Sequence, residues 1–201
     1  MLDEVLYLTP EEADGPNPVS GFTEELIPSD PPIMIPGIDE AGQFFPVEKI
    51  QAHREGIHHL ALSVFVFDGP HLLIQRRADH KYHCGGLWAN TCCTHPHMDE
   101  DIEVAAKRRL QEELGFSLPV QEKLIVEYSA DVGGGLWERE RVHMFRAQVD
   151  RTRFTFEPNP DEVSQTRWIT AEELHSEIKE TPELFTPWFR IYVNRFPALD
   201  F

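Results

Sequence analysis

The feature that most constrains the fold is the segment from Asn90 to Gly115, where a Cys-Cys-x-His turn runs into a charged helix. Apolar residues recur there every four positions, which is the period of a helix with one buried face. This spacing predicts a helix over about residues 99–114, capped by Asp99 and ended by Gly115. The apolar positions are Ile102, Ala106, Leu110 and Leu114.

The remaining face of this helix carries two rows of opposite charges. Arg108 lies one turn before Glu112, and Arg109 lies one turn before Glu113. Pairs at this spacing are neighbours on a helix surface, so each arginine can orient a carboxylate. Carboxylates held in this way are suitable ligands for a hard divalent cation.

The same segment resembles the Nudix box, the helix that binds Mg²⁺ and a diphosphate in the Nudix superfamily, with the usual pattern G-x5-E-x7-R-E-x2-E-E-x-G. Two positions depart from it: Thr94 replaces the first glycine, and Arg109 replaces a glutamate that hydrolases normally need. These departures point away from hydrolysis. Together with the flanking NTCCTHP, the segment is similar to the type I isopentenyl-diphosphate delta-isomerases, and the similarity runs from about Phe45 to Phe196. The residues that match the box are Glu100, Arg108, Glu112, Glu113 and Gly115.

The chain as a whole predicts one folded domain with an acidic extension. Its 201 residues, 41% of them apolar, can form one substantial core. The net charge is −17, and residues 1–40 hold ten Asp or Glu without any Lys or Arg. We therefore expect residues 1–30 to be a disordered, Pro-rich extension and residues 31–201 to be a single domain. The extension either only increases solubility or docks a partner around Phe22, Leu26 and Ile27.

Composition also excludes several classes of partner. Nucleic acid is not expected, because phosphate backbones are bound by Lys and Arg clusters that this acidic chain lacks. Neither a membrane span nor a signal peptide is recognisable, so the expected location is the cytoplasm. Three cysteines, two of them adjacent, form a poor disulfide framework and suit a reducing compartment.

The order of apolar patterns predicts an α+β fold. Short β-rich pieces lie between Pro32 and Phe67, and Asp68-Gly69-Pro70 reads as a hairpin turn. Strands return after Gly115, followed by helices from Ala171 to about Lys179 and from Pro187 to Arg195. The resemblance implies a Nudix-type α/β/α sandwich with a mixed sheet around the catalytic helix.

The resemblance also implies a metal site made by three histidines and two glutamates. Strand alternation places Glu138 and Glu140 on one face, whereas His58 would face away from its neighbour His59. Any one histidine taken alone reads as a surface or packing residue. This ligand set suits one Mn²⁺ or Zn²⁺ ion, and affinity alone does not choose between them. The implied ligands are His53, His59, His95, Glu138 and Glu140.

A second ion, Mg²⁺, is implied together with the substrate diphosphate. Glu113 would bind it with the backbone carbonyl of Cys93, although Glu113 also reads as a surface partner of Arg109. Four cations that correspond in position to the diphosphate contacts of the family would bind the substrate. Their alternative role is to keep the surface soluble. These cations are Lys49, Arg77, Lys81 and Arg109.

The family's proton-transfer pair corresponds to Cys93 and Glu140, and Tyr128 corresponds to a tyrosine that assists the carboxyl group. Nearby cations and a metal are expected to lower the pKa of Cys93 enough to give a thiolate. Trp188 corresponds to a tryptophan that faces the reacting carbons, and its alternative role is core packing. Cys92 has no chemical role in this scheme.

The implied activity is isomerisation of isopentenyl diphosphate to dimethylallyl diphosphate, by protonation at C4 and deprotonation at C2 through a tertiary carbocation, in isoprenoid biosynthesis. The expected assembly is a monomer or a homodimer. Two other functions remain open: a Nudix pyrophosphohydrolase that uses the same helix, and a non-catalytic protein that binds a diphosphate or a metal.

Overall fold

The computed structural model describes residues 31–201 together with the backbone of the short strand β1, Val5–Tyr7. Apart from that strand, the prediction of a disordered extension over residues 1–30 lies outside the described residues. None of the helices in the described part has the length and apolar character that crossing a lipid bilayer requires.

Strands and helices alternate irregularly along the described residues. The remaining strands are β2 Met34–Ile38, β3 Phe44–Glu48, β4 His59–Asp68, β5 His71–Arg77, β6 Trp88–Ala89, β7 Cys92–Thr94, β8 Gln121–Gly133, β9 Leu136–Gln148 and β10 Val163–Thr170. The helices are α1 Lys49–Glu55, α2 Ile102–Leu114, α3 Ala171–Glu180 and α4 Pro187–Arg195, with a 3-10 turn at Pro182–Leu184.

These strands form one mixed sheet whose central strand is β4. The main order is β1-β8-β9-β4-β2-β3, and β4 pairs in parallel with β9. On its other side β4 pairs with β5 only over Val66–Asp68, and the short β7 pairs beside Leu62–Val64. This divergence of β4 and β5 brings β7, with its two cysteines, next to the centre of the sheet.

Alternation along β4 divides the core into two layers. Leu62 and Val64 pack with Leu110 of α2 on one side of the sheet, whereas Ala61 and Phe65 belong to the cluster on the opposite side. Because successive side chains point to opposite faces, one strand serves both cores. The opposite cluster includes Phe189 and Tyr192 of α4. The α/β/α sandwich predicted from the resemblance is thereby confirmed.

Most predicted elements are present, but helix α1 was missed. The sequence predicts only β-rich pieces between Pro32 and Phe67, because the apolar positions at the start of this helix continue the pattern of the preceding strand. The helix begins where the Glu48 side chain accepts a hydrogen bond from the Gln51 N–H, and it ends at Gly56 in the left-handed conformation. His53 therefore lies on a helix, among its buried residues.

The start of α2 also differs from the prediction. Asp101, not Asp99, is the N-cap: its carboxylate accepts hydrogen bonds from the N–H groups of Glu103 and Val104, both at 3.0 Å. Asp99 has a φ of 66° and lies in the turn before the helix. The repeat of apolar residues predicts the buried face of this helix. Two aspartates near its start are both possible N-caps, so the sequence does not choose between them.

The predicted end of α2 at Gly115 is confirmed, and this glycine has a second constraint. Its φ of 77° is left-handed, and a Cβ there would lie 2.5 Å from the carbonyl oxygen of Glu157. The loop that approaches it is tied to the helix, because the Asn159 N–H donates to the Glu113 carbonyl at 2.9 Å. The same loop leads to Glu162, whose backbone carbonyl accepts from the N–H of Ala78.

We predict that Asp101→Ala lowers the free energy of unfolding by about 1 kcal/mol, because two N–H groups of α2 lose their acceptor. Chemical denaturation followed by circular dichroism measures the change. Asp99→Asn is the matched control, since Asn tolerates the left-handed backbone and no cap is removed there. Equal losses in both variants would contradict the assignment of the cap.

Candidate active site

Three histidines and two glutamates from four parts of the chain meet in one buried cluster, and their candidate ligand atoms all lie within 4.8 Å of one another. His95 Nε2 lies 2.8 Å from Glu140 Oε1, and His59 Nε2 lies 3.6 Å from the same oxygen. His53 Nε2 approaches Glu138 Oε2 at 3.3 Å. The structure thus brings together all five side chains that the sequence proposed as ligands.

The backbone fixes which nitrogen of each histidine faces this cluster. The Nδ1 atoms of His53 and His59 lie 2.6 Å from the carbonyl oxygens of Lys49 and Ile57, respectively. If each Nδ1–H donates to its carbonyl, each Nε2 lone pair is directed inward. This orientation by a backbone carbonyl is common for histidines that bind metals.

The cluster has the properties of a cation site. Buried polar atoms without a partner are costly, and two of them, His53 Nε2 and Glu138 Oε2, make no hydrogen bond here. Burial and the adjacent His59 lower the pKa of His95 well below its usual value, which keeps the imidazole neutral. Burial raises the pKa of Glu140, but hydrogen bonds that include one from His59 outweigh it and bring the value to about 2. Neutral imidazoles beside a carboxylate can bind a divalent metal ion.

Four cations line a cavity next to this cluster, and they are the four that the sequence proposed for a diphosphate: Lys49, Arg77, Lys81 and Arg109. The cavity continues outward into a wider space of about 310 Å³, which Lys49, Lys81 and Arg109 also line. Burial first, and then the charges of Arg109, Lys81 and Arg77, lower the pKa of Lys49 to about 8. An anion placed among these groups would relieve their mutual repulsion.

Two carboxylates accompany these cations. Glu113 is 4% exposed and accepts from Arg109 at 2.5 Å and from the Gln75 side chain at 2.9 Å. Sequence reading missed Glu162, which accepts from Lys81 at 2.6 Å and from Arg109 at 3.4 Å. Glu162 lies in a loop far along the chain and belongs to no recognisable motif, so the sequence did not indicate its role. Arg109 therefore holds carboxylates through its terminal nitrogens, while its buried Nε makes no hydrogen bond.

Among the proposed proton-transfer groups, Cys93 lines this cavity, and Glu140 and Tyr128 are buried in the core. The Tyr128 hydroxyl donates to Glu140 Oε2 at 2.6 Å, and Ser63 Oγ lies 3.4 Å from Cys93 Sγ. Burial and the Glu140 charge raise the pKa of Cys93 well above its usual value, although the Ser63 hydrogen bond and Arg77 act in the opposite direction. The protein groups around Cys93 thus favour the thiol, and the thiolate expected with a bound metal stays a prediction.

Trp188 and Cys92 lie in different environments. Trp188 is 2% exposed, lines the cavity, and has the Arg77 guanidinium 5.5 Å from its ring centre. Its indole nitrogen is buried without a hydrogen-bond partner. Cys92 is fully buried in the core on the α2 side of the sheet, so it faces away from Cys93.

His83 is a further residue of this site that sequence reading missed. Its Nε2 lies 3.2 Å from Glu138 Oε1, and its ring stacks on His53 with centroids 5.7 Å apart. Burial lowers its pKa well below the usual value. The one sequence feature that could have indicated His83 is its position two residues after Lys81, a predicted substrate cation. His58, which the sequence excluded, approaches Glu127 instead, at 3.9 Å.

Comparison with known proteins identifies the class of this fold and site. The family model of the NUDIX domain matches residues 57–189. The structure of DR0079 from Deinococcus radiodurans is similar, with a TM-score of 0.64 and 17% identity over 81% of this chain and 98% of that one. The chain is therefore a Nudix protein.

Curated relatives narrow the assignment. An isopentenyl-diphosphate delta-isomerase of Cereibacter sphaeroides (strain ATCC 17029) is 51% identical over 161 residues, which are 80% of this chain and 90% of that protein. An isopentenyl-diphosphate delta-isomerase of Rhodobacter capsulatus is 48% identical over 169 residues, covering 84% of this chain and 95% of the relative. Within the Nudix superfamily, the chain belongs to the isopentenyl-diphosphate delta-isomerase family, and it is an enzyme.

We predict that the cluster binds one metal ion and that His59→Ala and Glu138→Ala each lose it, because each removes a buried donor. Elemental analysis after dialysis against a weak chelator measures the metal content per chain. His58→Ala is the control, since its ring lies outside the cluster beside Glu127. Full occupancy in both cluster variants would contradict this ligand set.

Proposed function

We propose that the activity of the family extends to this chain, which isomerises isopentenyl diphosphate to dimethylallyl diphosphate in isoprenoid biosynthesis. The observation that carries the proposal is a single cavity lined both by cations suited to a diphosphate and by Cys93, Glu138 and Trp188. Phosphate-binding charge and the proposed base Cys93 are thus within reach of one small substrate.

Binding of the substrate begins at the cations. Arg77 and Arg109 offer planar forks and Lys49 and Lys81 offer point charges, which together suit the oxygens of a diphosphate. One Mg²⁺ ion would accompany the diphosphate, held by Glu113 and the Cys93 carbonyl. The Glu162 carboxylate, which pairs with Lys81 and Arg109, is the group that an entering diphosphate would displace from them.

The cluster of three histidines and two glutamates would hold one Mn²⁺ or Zn²⁺ ion. Such an ion would offset the buried negative charge of Glu138 and Glu140 and hold both carboxylates in place. The contact from His83 to Glu138 Oε1 leaves the other oxygen, Oε2, directed at the histidines. The ligands are thus supported from outside the cluster as well as within it.

Isomerisation moves one proton onto the substrate and takes another from it. The C3=C4 electron pair takes a proton at C4 from Glu140, assisted by Tyr128, which leaves a tertiary cation at C3. Cys93 then removes a proton from C2, and the C2–H electron pair becomes the C2=C3 double bond. Both transfers are general acid-base steps, so the two groups must be positioned close to the carbons. The Tyr128–Glu140 hydrogen bond of 2.6 Å holds the acid in place.

Trp188 closes the hydrocarbon end of the cavity. Its indole face, desolvated at 2% exposure, would stabilise the carbocation through a cation–π interaction. The product is an allylic diphosphate that can ionise and react with water, so a dry site protects it. Trp188 thus serves both to stabilise the intermediate and to exclude solvent.

Two other functions would use the same residues. A pyrophosphohydrolase would need a water activated near Glu112 and Glu113, but Arg109 replaces the additional carboxylate and binds both of these groups. A non-catalytic binding protein would bind the substrate unchanged. Incubation with isopentenyl diphosphate, following both dimethylallyl diphosphate and released phosphate, separates all three: the isomerase alone forms dimethylallyl diphosphate without phosphate.

We further propose that the enzyme works in the cytoplasm, since its three cysteines are free thiols and one of them acts as a base. A monomer or a homodimer remains the expected assembly.

We predict that Cys93→Ala abolishes product formation while metal remains bound, because the thiol is outside the ligand cluster. Glu140→Gln should abolish product and also weaken metal binding, because this carboxylate serves both purposes. Loss of either group should lower the rate by at least about 10²- to 10⁴-fold. Product assays and elemental analysis on the same samples measure both effects.

Cys92→Ala is the matched control for these variants, since its thiol packs in the core on the α2 side. An inactive Cys92→Ala beside a normal Cys93→Ala would show that the base was assigned to the wrong thiol.

In D₂O, a single turnover should place deuterium in the new methyl group. A methyl group without deuterium would rule out protonation from an exchangeable group.

We predict that substrate affinity falls as pH rises through about 8, the pKa of Lys49. Burial and neighbouring cations lower this pKa, so the free site loses the Lys49 charge at a pH where an exposed lysine keeps it. KM measured from neutral pH to well above this value should therefore increase. Lys49→Arg should keep a low KM across the range, and Lys49→Gln should have a high KM throughout. An identical pH dependence in all three proteins would contradict the role of Lys49.

A further inference from the structure

One carboxylate in the wall of the substrate cavity has no part in the proposed proton transfers or in metal binding. Glu162 lines the cavity, and its Oε2 accepts from Lys81 Nζ at 2.6 Å and from Arg109 Nη2 at 3.4 Å. These three side chains are only 19% to 22% exposed. A group of the protein itself therefore occupies donors that a diphosphate would need.

The backbone of Glu162 is fixed beside the cations of the cavity. The N–H of Ala78, the residue after Arg77, donates to the Glu162 carbonyl at 2.9 Å. The next residue, Val163, pairs with Arg77 in the register of β10 with β5. The carboxylate is thus held at the cavity by its main chain, and it can leave the cations by rotation of its own side chain.

The charge of Glu162 is maintained by these neighbours. Burial raises the pKa of Glu162, but the hydrogen bond from Lys81 and the charges of Arg109, Lys81 and Arg77 outweigh burial and lower the value. Carboxylate and phosphate oxygens accept charge-assisted hydrogen bonds from the same Lys and Arg donors. A carboxylate and a diphosphate on the same two cations would repel each other, so binding of one disfavours binding of the other.

A diphosphate can win this competition, because one carboxylate leaves much of the cationic wall without a partner. The Nε atoms of Arg77 and Arg109 are buried and make no hydrogen bond within the described part of the chain. A diphosphate carries more charge and more oxygens than Glu162, and it can also reach Lys49. The carboxylate therefore weakens the binding of a diphosphate without preventing it.

The competition matters most when the product leaves. Substrate and product of the proposed reaction carry the same diphosphate, so the cations bind both in the same way. Such uniform binding lowers KM without accelerating the chemical step, and tight binding of the product delays its release. Glu162 can take back Lys81 and Arg109 as the product departs, which avoids leaving these buried charges unpaired.

We propose that Glu162 is an internal competitor of the diphosphate, which lowers the affinity of the site for substrate and product alike and thereby promotes product release. The inference rests on the proposed function, because that function makes a diphosphate the ligand of these cations. Glu162 acts through Lys81 and Arg109 and not at the reacting carbons, so it is not a catalytic residue.

Glu162→Gln tests the competition, because it removes the charge and keeps the size of the side chain. Titration calorimetry with inorganic diphosphate, without and with Mg²⁺, measures the affinity of the whole protein independently of turnover. The Kd should fall by about tenfold or more in both conditions, since a hydrogen bond to a charged group contributes on this scale. Glu162→Asp keeps the charge but withdraws it by one methylene group, so its Kd should lie between those of the wild type and Glu162→Gln.

Asp161→Asn is the matched control, since it removes the same charge one position earlier in the same loop, from an exposed side chain. Its Kd for inorganic diphosphate should change by less than about twofold, because solvent and salt screen an exposed charge. In turnover assays of Glu162→Gln, the KM for isopentenyl diphosphate and the inhibition constant for dimethylallyl diphosphate should fall together. The kcat should not rise, because the lost competitor acts on the diphosphate and not on the reacting carbons.

The outcomes distinguish a competitor from a structural support. A Kd that is unchanged or higher in Glu162→Gln would mean that the carboxylate holds Lys81 and Arg109 in place for the ligand, and the competition would be wrong. A Kd that falls without Mg²⁺ but rises with it would assign Glu162 to the ion and also overturn the proposal. An equal fall in Asp161→Asn would reduce the effect to net charge and contradict a specific role.

Failure of this inference and failure of the proposed function are distinguishable. If the wild-type protein forms no dimethylallyl diphosphate while Glu162→Gln binds inorganic diphosphate more tightly, the isomerase function fails and the competition stands. If the wild-type protein forms dimethylallyl diphosphate and Glu162→Gln binds inorganic diphosphate no more tightly, the competition alone fails.

Discussion

The parallel pairing of β4 with β9 is the interaction on which the rest of the structure depends. Its register places His59 directly beside Glu140, and the antiparallel pairing of β9 with β8 places Tyr128 on the other side of the same carboxylate. A shift of one residue would move Glu140 to the opposite face, since side chains alternate along a strand. The register is fixed by apolar neighbours on the same face, Ala61 with Val142 and Met144, so the packing of the core determines the geometry of the chemistry.

The buried charges of this site would be unfavourable in isolation, and the fold compensates for them in two ways. Glu140 gains enough hydrogen bonds to bring its pKa to about 2 despite burial, whereas Glu113 is held by Arg109 and Gln75. Lys49 gains less compensation, from the Glu138 charge and the Tyr82 ring, so burial and the neighbouring cations bring its pKa down to about 8. This weakly compensated cation marks where a ligand is expected, because buried charges in proteins are normally paired.

The sequence indicated most of this site through its resemblance to a known family, and residues in short, dense motifs carried that resemblance. The Cys92–His95 turn, the α2 carboxylates and the Glu138-x-Glu140 strand could each be recognised from residues close together in the chain. Contacts between distant segments could not be seen in this way. Glu162 reaches Lys81 from a late loop, and Tyr192 of α4 reaches Ser63, which lies 129 positions earlier in the chain. Local ambiguity explains the other differences: two nearby aspartates competed as the α2 cap, and α1 merged with the apolar pattern of β3.

The glycine at the end of α2 links the sequence motif to the pocket in a way that is independent of the reaction. Gly115 leaves room for the carbonyl of Glu157, and the loop that contains Glu157 carries Glu162 to the substrate cations. Any side chain at position 115 would press on that backbone in addition to straining its own left-handed conformation. A sequence that keeps this loop against this end of the helix is therefore confined to glycine at that position, whichever diphosphate the pocket accepts and whatever is done to it.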